Sequence, residues 1–373
     1  MKLRLNRDAA AAVRRGHPWV FRDGVQGSAP VGTVVDLGIA WGLFDEGGIA
    51  VRVLGPGKPE AMEGFVARRV RLAETLRSRC LPAATDCYRL INGAGDGLPG
   101  VIVDRYGEVT VLRLYSKAWE AHLDALVAAL KPGCTTLYRR YGVKRVDGRD
   151  GGVALFGPEP AEAMWVQEHG IELLVRVKHG QKTGLFLDQR ENRRRVGELS
   201  AGRRVLNLFG YNGGFSIYAA IGGAARVHTV DLSAPALDDA KELFTRNGIP
   251  LKAHVFEAAD IFKWTPPDVY ELVVCDPPSL THGERSDKAA RRAYTNLAAL
   301  VAPAVAAKGL LATASCTARL TRSEWEGAVA DGLAKHGRWR WLEHASAPLD
   351  HPVATAHTEG NYLKFSIAAR LPS

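Results

Sequence analysis

The sequence predicts an α/β protein with a Rossmann-like sheet in its C-terminal half, and three observations lead to this prediction. First, the apolar run Val205–Leu208 is followed by a glycine-rich turn, Gly210–Gly214, and by apolar residues at helical spacing up to Ile221. Second, a further predicted strand, Arg226–Val230, is followed by Asp231, and an acid at such a strand end can accept hydrogen bonds from ribose hydroxyls. Third, strand-like and helix-like segments alternate towards the C-terminus, as in a parallel sheet covered by helices.

The spacing of the glycines narrows the choice of nucleotide. Gly210 is separated from Gly213 and Gly214 by Tyr211 and Asn212, whereas a dinucleotide loop needs G-x-G-x-x-G to seat a pyrophosphate on the helix N-terminus. This disfavours a nicotinamide oxidoreductase, and the absence of a following Gly-Lys-Ser/Thr excludes a P-loop. S-adenosylmethionine, which carries adenosine but no phosphate, is the remaining common ligand. A plain glycine turn is the alternative.

Composition and charge indicate an ordinary globular protein with a polyanionic partner. The 373 residues are 46% apolar and 24% charged, enough for two or three domains with buried cores. Lys and Arg number 49 against 40 Asp and Glu, a net charge of +9, which favours a nucleic acid, although a generically basic surface would look the same. The five cysteines lack metal-ligand spacing, so neither a disulfide framework nor a metal site is expected. Without a signal peptide or an apolar window of membrane length, the expected location is the cytoplasm.

The chain before the sheet divides into two predicted domains. Short glycine-bounded strands within residues 1–58 predict a small β-rich module, either RNA-binding or structural, and the breaker cluster Gly55–Pro59 marks its boundary. Residues 59–167 form a predicted central α+β domain. Its helix from Met62 to Arg79 carries Val66, Val70 and Leu76 as an inward stripe, and a β-hairpin follows from Val101 to Tyr115.

The predicted C-terminal domain, residues 168–373, begins with one strand from Glu168 to Arg176. Asp188, Gln189 and Arg190 then stand where an apolar run gives way to a basic helix, a position that brings side chains to a ligand. Alternatively, Asp188 simply caps that helix.

Further polar residues follow the later strands of this domain. Asp260 and Ile261 follow the strand from His254, Asp276 follows the strand Tyr270–Cys275, and Cys316 follows the strand Leu310–Ala314. With Asp231, four strand ends therefore carry polar residues on the side where open α/β sheets bind ligands. Two last strands, from Arg338 to Glu343 and from Tyr362 to Ala368, are expected at an antiparallel edge, after a helix from Ala289 to Val305.

Several basic residues are candidates for phosphate contacts, although charge runs are usually solvated faces. They are Arg139, Arg140, Arg193, Arg194, Arg291 and Arg292.

A set of motifs spread over nearly the whole chain resembles one known family. These motifs are His17–Phe21, Tyr88–Ile91, Gly95–Gly100, Phe186–Arg190, Asn207–Phe215, Asp276–Pro278, Ser315–Thr317, Asp350–Val353 and Glu359–Lys364. The family is that of bacterial large-subunit ribosomal RNA cytosine-5 methyltransferases with an N-terminal PUA domain. The resemblance implies a PUA-like RNA-binding domain, a central domain and a class I methyltransferase domain, with S-adenosylmethionine as cofactor and ribosomal RNA, 23S, as substrate. It leaves monomer and homodimer both open.

The resemblance also assigns residues to the cofactor and the substrate. The methionine side of the cofactor falls to Asn207, Phe209, Gly210, Tyr211, Asn212 and Gly213. Asp231 and Leu232 take the ribose, Asp260 and Ile261 the adenine edge, and Asp188 and Arg190 the amino-acid end or the loop itself. The target base is expected to lie beside Asp276, Pro277, Pro278 and Ser279.

The expected chemistry requires a cysteine. Carbon 5 of cytosine is a poor nucleophile, so a thiolate must first add to carbon 6. Cys316, flanked by two hydroxyl residues at a strand end, is the predicted nucleophile. Cys275 competes, but it lies inside an apolar strand, where cysteine behaves as a core residue. Asp276 is expected to hydrogen-bond the cytosine edge, and the base must be unpaired or flipped out of a duplex.

The chain departs from the family pattern at four positions. Gly210 and Asn212 stand where Ser and Thr are more frequent, Ser279 replaces the usual Lys, and Thr317 replaces Ser. A guanine-N7 methyltransferase, which needs no nucleophile, and a non-catalytic RNA-binding assembly factor remain the alternative functions.

Overall fold

The computed structural model describes residues 1–280 and 286–372, which form two compact units. The first comprises Met1–Gly170, Val175–Leu187 and Pro348–Gly360. The second comprises Ile171–Leu174, Asp188–Ala347 and the chain from Asn361 onward. The three-domain division at residues 58 and 167 stays a prediction, as does the PUA-like assignment of the first module.

The first unit begins with a small β-rich module. Its elements are β1 (Arg4–Leu5), α1 (Arg7–Arg14), β2 (Trp19–Phe21), β3 (Val25–Gln26), β4 (Val34–Asp36), β5 (Ala40–Phe44) and β6 (Ile49–Pro56). Strands β2, β6, β5 and β4 form an antiparallel sheet in that order, and β1 pairs with β3. Val20, Val35 and Val51 are fully buried in its core.

The rest of the first unit is an α+β arrangement. Its elements are α2 (Met62–Cys80), β7 (Cys87–Asn92), β8 (Val101–Tyr106), β9 (Val109–Leu114), α3 (Leu123–Leu130), β10 (Thr136–Arg140), α4 (Lys144–Asp147), β11 (Gly152–Phe156) and β12 (Met164–Glu168). The sheet order is β11-β10-β9-β8-β7, with only the β9–β10 pair parallel among these described strands. The predicted hairpin corresponds to β8 and β9.

The inward stripe of α2 differs from the prediction at one position. Val66 and Val70 are buried as expected, but Leu76 is 38% exposed and Arg77 takes the inward position at 1%. The guanidinium of Arg77 is buried because it has fixed partners: it pairs with the Asp96 carboxylate and donates to the carbonyl of Asp350 at 2.7 Å. A hydropathy stripe cannot anticipate such a buried ion pair.

The second unit is the Rossmann-like domain. Its elements are β13 (Ile171–Val175, whose last residue belongs to the first unit), α5 (Arg190–Glu198), β14 (Arg204–Leu208), α6 (Gly214–Ile221), β15 (Arg226–Asp231), α7 (Ala234–Arg246), β16 (Val255–Ala258), β17 (Tyr270–Cys275), α8 (Asp287–Val301), β18 (Val305–Ser315), α9 (Arg322–Leu333), β19 (Trp339–Ala345) and β20 (Lys364–Arg370). The sheet order is β16-β15-β14-β17-β18-β20-β19. The first five strands are parallel, and β20 and β19 add an antiparallel edge. The predicted fold class is confirmed.

Apolar side chains cover both faces of this sheet, because its central strands carry apolar residues that point to either side. On one face, Leu206 and Val273 pack in a cluster with Trp325 of α9. On the other, Val205 and Val274 pack in a cluster with residues of α5 and α6. Because β14 to β18 are parallel, their carboxyl ends meet at one edge, and the polar residues after them are brought there together.

Two predicted boundaries were wrong. The single strand from Glu168 to Arg176 is two strands, β12 and β13, because His169 and Gly170 between them have positive φ angles of 52° and 77° that an extended strand cannot accommodate. Helix α8 ends at Val301 rather than Val305, since Pro303 follows in a 3-10 turn and Val305 already begins β18.

Candidate active site

The loop between β14 and α6 has an unusual backbone. Phe209 and Tyr211 have positive φ angles of 57° and 47°, which bulky residues rarely adopt. Backbone hydrogen bonds hold this shape: Gly210 N–H donates to Val230 O at 3.0 Å, and Gly213 N–H donates to Gly210 O at 2.9 Å. The chain therefore keeps a strained loop at the carboxyl edge of the sheet, where strain marks functional loops.

The glycines of this loop are required by packing within the protein. A Cβ on Gly210 would lie 2.5 Å from Thr229 Cγ2 on β15, and one on Gly213 would lie 2.8 Å from Ala240 Cβ on α7. Contact with neighbouring elements of the protein therefore accounts for both glycines.

A series of buried side-chain hydrogen bonds joins β14, α6 and β15 next to the loop between β14 and α6. Asn207 Nδ2 donates to Ser216 Oγ at 2.8 Å, and Ser216 Oγ lies 2.7 Å from Thr229 Oγ1. Within residues 1–280 and 286–372, no donor reaches the buried Asn207 Oδ1. An unsatisfied buried acceptor costs on the order of 1–3 kcal/mol, and a donor from a bound ligand would remove that cost.

Two carboxylates and several exposed apolar side chains lie at the ends of β15 and β16. Asp231 accepts the backbone N–H groups of Tyr211 and Ser233 through different oxygens, each at 2.8 Å. Asp260 accepts Phe262 N–H at 3.1 Å, and the ring of Phe262 is 54% exposed. The pairing of Asp231 with Ala258 places both strand ends side by side. Carboxylates beside a flat apolar surface suit an adenosine, whose hydroxyls donate and whose base stacks.

The predicted residues around these acids differ in exposure. Leu232 is 75% exposed, whereas Ile261 is 5% exposed and lies in the core. Phe262 was missed in the sequence, although an aromatic residue directly after Asp260 and Ile261 was the available signal. Its ring centroid lies 5.9 Å from that of Phe209, so an aromatic pair borders the patch.

A buried amide network positions Asp276 at the end of β17. Gln189 Nε2 donates to Asp276 Oδ2 at 2.9 Å, and Asn192 Nδ2 donates to Gln189 Oε1 at 2.6 Å. Asp188 is not the N-cap of α5: the helix begins at Arg190 with Gln189 as its N-cap residue, and Asp188 instead accepts the hydroxyl of Tyr362 at 2.6 Å. The capping alternative was therefore wrong.

The two candidate cysteines have different environments. Cys275 is buried, and burial followed by the charge of Asp276 raises the pKa of its thiol well above the ordinary value. Cys316 is half-buried in the turn after β18. Ser315 Oγ beside it lies 2.7 Å from the hydroxyl of Tyr294, whose pKa is raised by burial and, to a lesser extent, by Cys316 and Asp276. Cys316 and Asp276 therefore belong to one neighbourhood at the sheet edge, and of the two cysteines only Cys316 is partly exposed.

The other residues predicted to bind the substrate differ in their exposure to solvent. Pro277 is buried, Pro278 is exposed and Ser279 is half-buried. Arg291 and Arg292 are exposed on α8, although Arg291 pairs with Glu324 at 2.5 Å. Arg194 is exposed on α5 and pairs with Glu191 at 3.0 Å.

Three arginines predicted to contact phosphates make contacts within the protein. Arg139 is 5% exposed and pairs with Glu120 and with Asp147, the latter at 3.1 Å. Arg140 donates to the carbonyls of Val177 and Gly180. Arg193 is 4% exposed, with its Cδ 3.2 Å from the Cβ position of Gly214. A sequence run of arginines does not reveal which guanidinium groups turn inward.

The described part of the chain meets the requirements of neither a metal site nor a membrane-spanning helix. No group of His, Cys, Asp and Glu among residues 1–280 and 286–372 could hold a metal ion. None of the helices formed by these residues is both long and apolar enough to cross a membrane.

The sheet order, the strained loop and the paired strand-end carboxylates define a class I S-adenosylmethionine-dependent methyltransferase domain. The family model for S-adenosylmethionine-dependent methyltransferases matches residues 109–319. A ribosomal RNA large subunit methyltransferase of Deinococcus radiodurans is 37% identical over 98% of this chain and 96% of its own. Ribosomal RNA large subunit methyltransferase I of Photobacterium profundum is 35% identical over 95% of both chains. The chain belongs to the S-adenosylmethionine-dependent methyltransferase family that these two relatives represent, and S-adenosylmethionine is its cofactor.

The fold also matches a solved structure over its full length. A protein from Streptococcus mutans described as a SAM-dependent methyltransferase superposes with a TM-score of 0.88 at 24% identity, covering 99% of this chain and 100% of that one. At this identity the likeness concerns the fold alone.

Proposed function

We propose that this protein methylates carbon 5 of a cytosine in large-subunit ribosomal RNA, 23S, through a covalent adduct of Cys316 at carbon 6. The names of the relatives support the RNA class, and the net charge of +9 suits a polyanion. The observation that carries the chemistry is the placement of an accessible cysteine, Cys316, in the neighbourhood of Asp276 while Cys275 is sealed in the core.

The residues around the cofactor divide by chemistry. The Asp231 carboxylate accepts the ribose hydroxyls, Asp260 and the backbone of Ile261 contact the adenine edge, and Phe262 and Leu232 border the base. The loop from Asn207 to Gly213 encloses the methionine part, with Asp188 and Arg190 holding the loop from α5. When bound, S-adenosylmethionine supplies the methyl group at an electrophilic carbon.

Cys316 and Asp276 act on the base itself. The Cys316 thiolate adds to carbon 6, so a sulfur–carbon bond forms and the electron pair of the 5,6 double bond becomes available at carbon 5. Asp276, oriented by Gln189, hydrogen-bonds the ring edge and holds the base in the orientation needed for the addition. Carbon 5 then takes the methyl group. Loss of its proton to a base returns the electron pair to the double bond and releases the thiolate.

The target must be outside a duplex to reach this edge of the sheet. We infer an unpaired or flipped cytosine beside Pro278 and Ser279, with Arg291, Arg292 and Arg194 as exposed cations for phosphates. The β-rich N-terminal module, as a PUA-like domain, provides further RNA contact and selects the site.

The test compares two cysteine variants of the full-length protein. Cys316→Ala is expected to abolish 5-methylcytosine formation in ribosomal RNA, a loss of at least about 10³-fold, whereas Cys275→Ala, the matched control, keeps most of the activity. The readout is mass mapping of ribosomal RNA from cells complemented with each variant. Full methylation by Cys316→Ala would overturn the mechanism, and methylation found on a guanine instead would establish the alternative reaction.

A trapping experiment tests the adduct directly. Fluorine at carbon 5 cannot leave as a proton does, so RNA containing 5-fluorocytidine should accumulate as a covalent complex that survives denaturation. The complex is expected with wild-type protein and Cys275→Ala but not with Cys316→Ala. If calorimetry finds no binding of S-adenosylmethionine, a non-catalytic RNA-binding factor is the better description.

A further inference from the structure

A buried lysine lies directly against the turn that carries Cys316. Lys364 is the first residue of β20, and the antiparallel ladder pairs it with Ser315, the last residue of β18. Lys364 is only 3% exposed, which is rare for a lysine and requires partners for its ammonium group.

The ammonium group of Lys364 is fixed by two backbone carbonyls. Nζ donates to Thr317 O at 2.6 Å and to Tyr362 O at 3.0 Å. Lys364 therefore holds the chain on both sides of Cys316, at Ser315 through the β-ladder and at Thr317 through its ammonium group. An ammonium group can only donate hydrogen bonds, and both of its partners here are carbonyl oxygens, so these contacts fit the protonated form of Lys364.

The charge of Lys364 also acts on the cysteine between these two attachments. Burial first, and then repulsion by Arg322, lowers the pKa of Lys364 to about 8, while a thiolate at Cys316 acts in the opposite direction. This coupling is mutual, so a protonated Lys364 favours the thiolate of Cys316 to the same extent. Arg322 donates to Phe365 O at 3.2 Å and to Ala345 O at 2.5 Å, so it is fixed close to Lys364 by backbone carbonyls. Asp188 accepts a hydrogen bond from the hydroxyl of Tyr362 at 2.6 Å.

We propose that Lys364 is a positioning residue for Cys316: it fixes the Ser315–Thr317 turn and keeps a cation beside the thiolate. The inference rests on the proposed function, because it assigns Lys364 to the nucleophile of that reaction. It gives a task to the last residue of the segment Glu359–Lys364, which the mechanism otherwise leaves unused. A lysine that only anchored a strand would not alter the ionisation of Cys316.

The experiment measures the ionisation of Cys316 without methyl transfer. Full-length protein is alkylated with iodoacetamide across a pH series, and modification of the Cys316 peptide is followed by mass spectrometry. Lys364→Met removes the charge and the donors, Lys364→Gln keeps a donor without charge, and Lys364→Arg keeps the charge. Lys335→Met, at an exposed lysine, is the control for loss of one positive charge.

We expect Lys364→Met and Lys364→Gln to move the alkylation midpoint up by about one pH unit, which is about a tenfold lower rate at neutral pH. Lys364→Arg and Lys335→Met should keep the wild-type midpoint, and Lys364→Arg should retain most of the methylation. If circular dichroism shows that Lys364→Met does not fold, the alkylation midpoints of Lys364→Gln and Lys364→Arg are compared instead.

Equal midpoints in the folded Gln and Arg variants would overturn the proposal. This failure is distinguishable from failure of the proposed function. If Cys316→Ala methylates RNA normally, the mechanism fails while a shifted alkylation midpoint still supports the Lys364–Cys316 coupling. If the midpoint does not move while Cys316→Ala is inactive, only the assignment of Lys364 fails.

Discussion

The side-chain amide of Gln189 donates a hydrogen bond to Asp276, with Nε2 and Oδ2 2.9 Å apart, and thereby connects the start of α5 with the end of β17. Gln189 is 2% exposed and is itself held by Asn192, so the orientation of the Asp276 carboxylate is set from the interior. A carboxylate aimed in this way needs little reorganisation when it meets a substrate.

Replacing Gln189 by Leu should impair catalysis more than cofactor binding. The change keeps the side-chain volume but removes the donor to Asp276, so we expect methylation to fall about 10–100-fold because a misaligned group costs that much. Calorimetric affinity for S-adenosylmethionine should change less than about threefold. Gln167→Leu, at an exposed position on β12, is the control. Equal methylation by the Gln189→Leu and wild-type proteins would refute the orienting role of Gln189.

Replacing Asp231 by Asn should weaken cofactor binding. Hydrogen bonds to a charged group are worth about 1.5–3 kcal/mol, so loss of the carboxylate charge should lower the affinity for S-adenosylmethionine roughly 10–100-fold in calorimetry. Asp238→Asn, an exposed acid on α7 paired with Lys241, should leave the affinity unchanged. An unaltered affinity in Asp231→Asn would place the ribose elsewhere.

Replacing Gly210 by Ala should destabilise the protein by about 1–3 kcal/mol, because the new Cβ meets Thr229 Cγ2 at 2.5 Å. Thr229→Ser removes that methyl group and keeps the hydroxyl partner of Ser216, so the double variant should recover part of the loss. Gly327→Ala, where nothing lies within 4 Å of the new Cβ in helix α9, should stabilise by up to about 1 kcal/mol. Urea unfolding of the two single variants at 210 and 229, the double variant and Gly327→Ala measures these free energies of unfolding. If the effects of Gly210→Ala and Thr229→Ser on the free energy simply add up in the double variant, the predicted contact between the two side chains is excluded.

Replacing Glu324 by Gln should destabilise the protein only above acidic pH. Hydrogen bonds from the backbone and then the hydroxyl of Thr321, followed by one from Arg291, lower the pKa of Glu324 to about 2. Because the folded-state pKa is the lower one, this stabilisation is complete above about pH 4.5 and is lost as the pH falls towards 2. The difference in free energy of unfolding between wild type and Glu324→Gln should therefore shrink over that range. A difference in free energy of unfolding that stays constant with pH would contradict this prediction. Glu242→Gln, on the exposed face of α7, is the control for loss of a surface charge.

Much of the second unit could be predicted because its signals are local. The apolar runs, the glycines after Leu208 and the acid at Asp231 lie within one βαβ unit, and the parallel pairing then brings Asp260, Asp276 and Cys316 to the same edge. Predictions failed where contacts with distant residues determine which side chain is buried. Arg77 is buried in place of Leu76 because its guanidinium binds Asp96 and the carbonyl of Asp350. Arg139 is buried because it pairs with Glu120.

The sequence by itself determined the fold class, because apolar periodicity and glycine spacing involve neighbouring residues, and its resemblance to a known family indicated the cofactor. The choice of Cys316 over Cys275 stays a prediction. Only the tertiary structure decided what supports these residues: Thr229 against Gly210, Gln189 on Asp276, and Lys364 on the turn around Cys316. Each of these contacts joins residues far apart in the chain, and such pairs are specified by the packing of whole elements rather than by any local pattern.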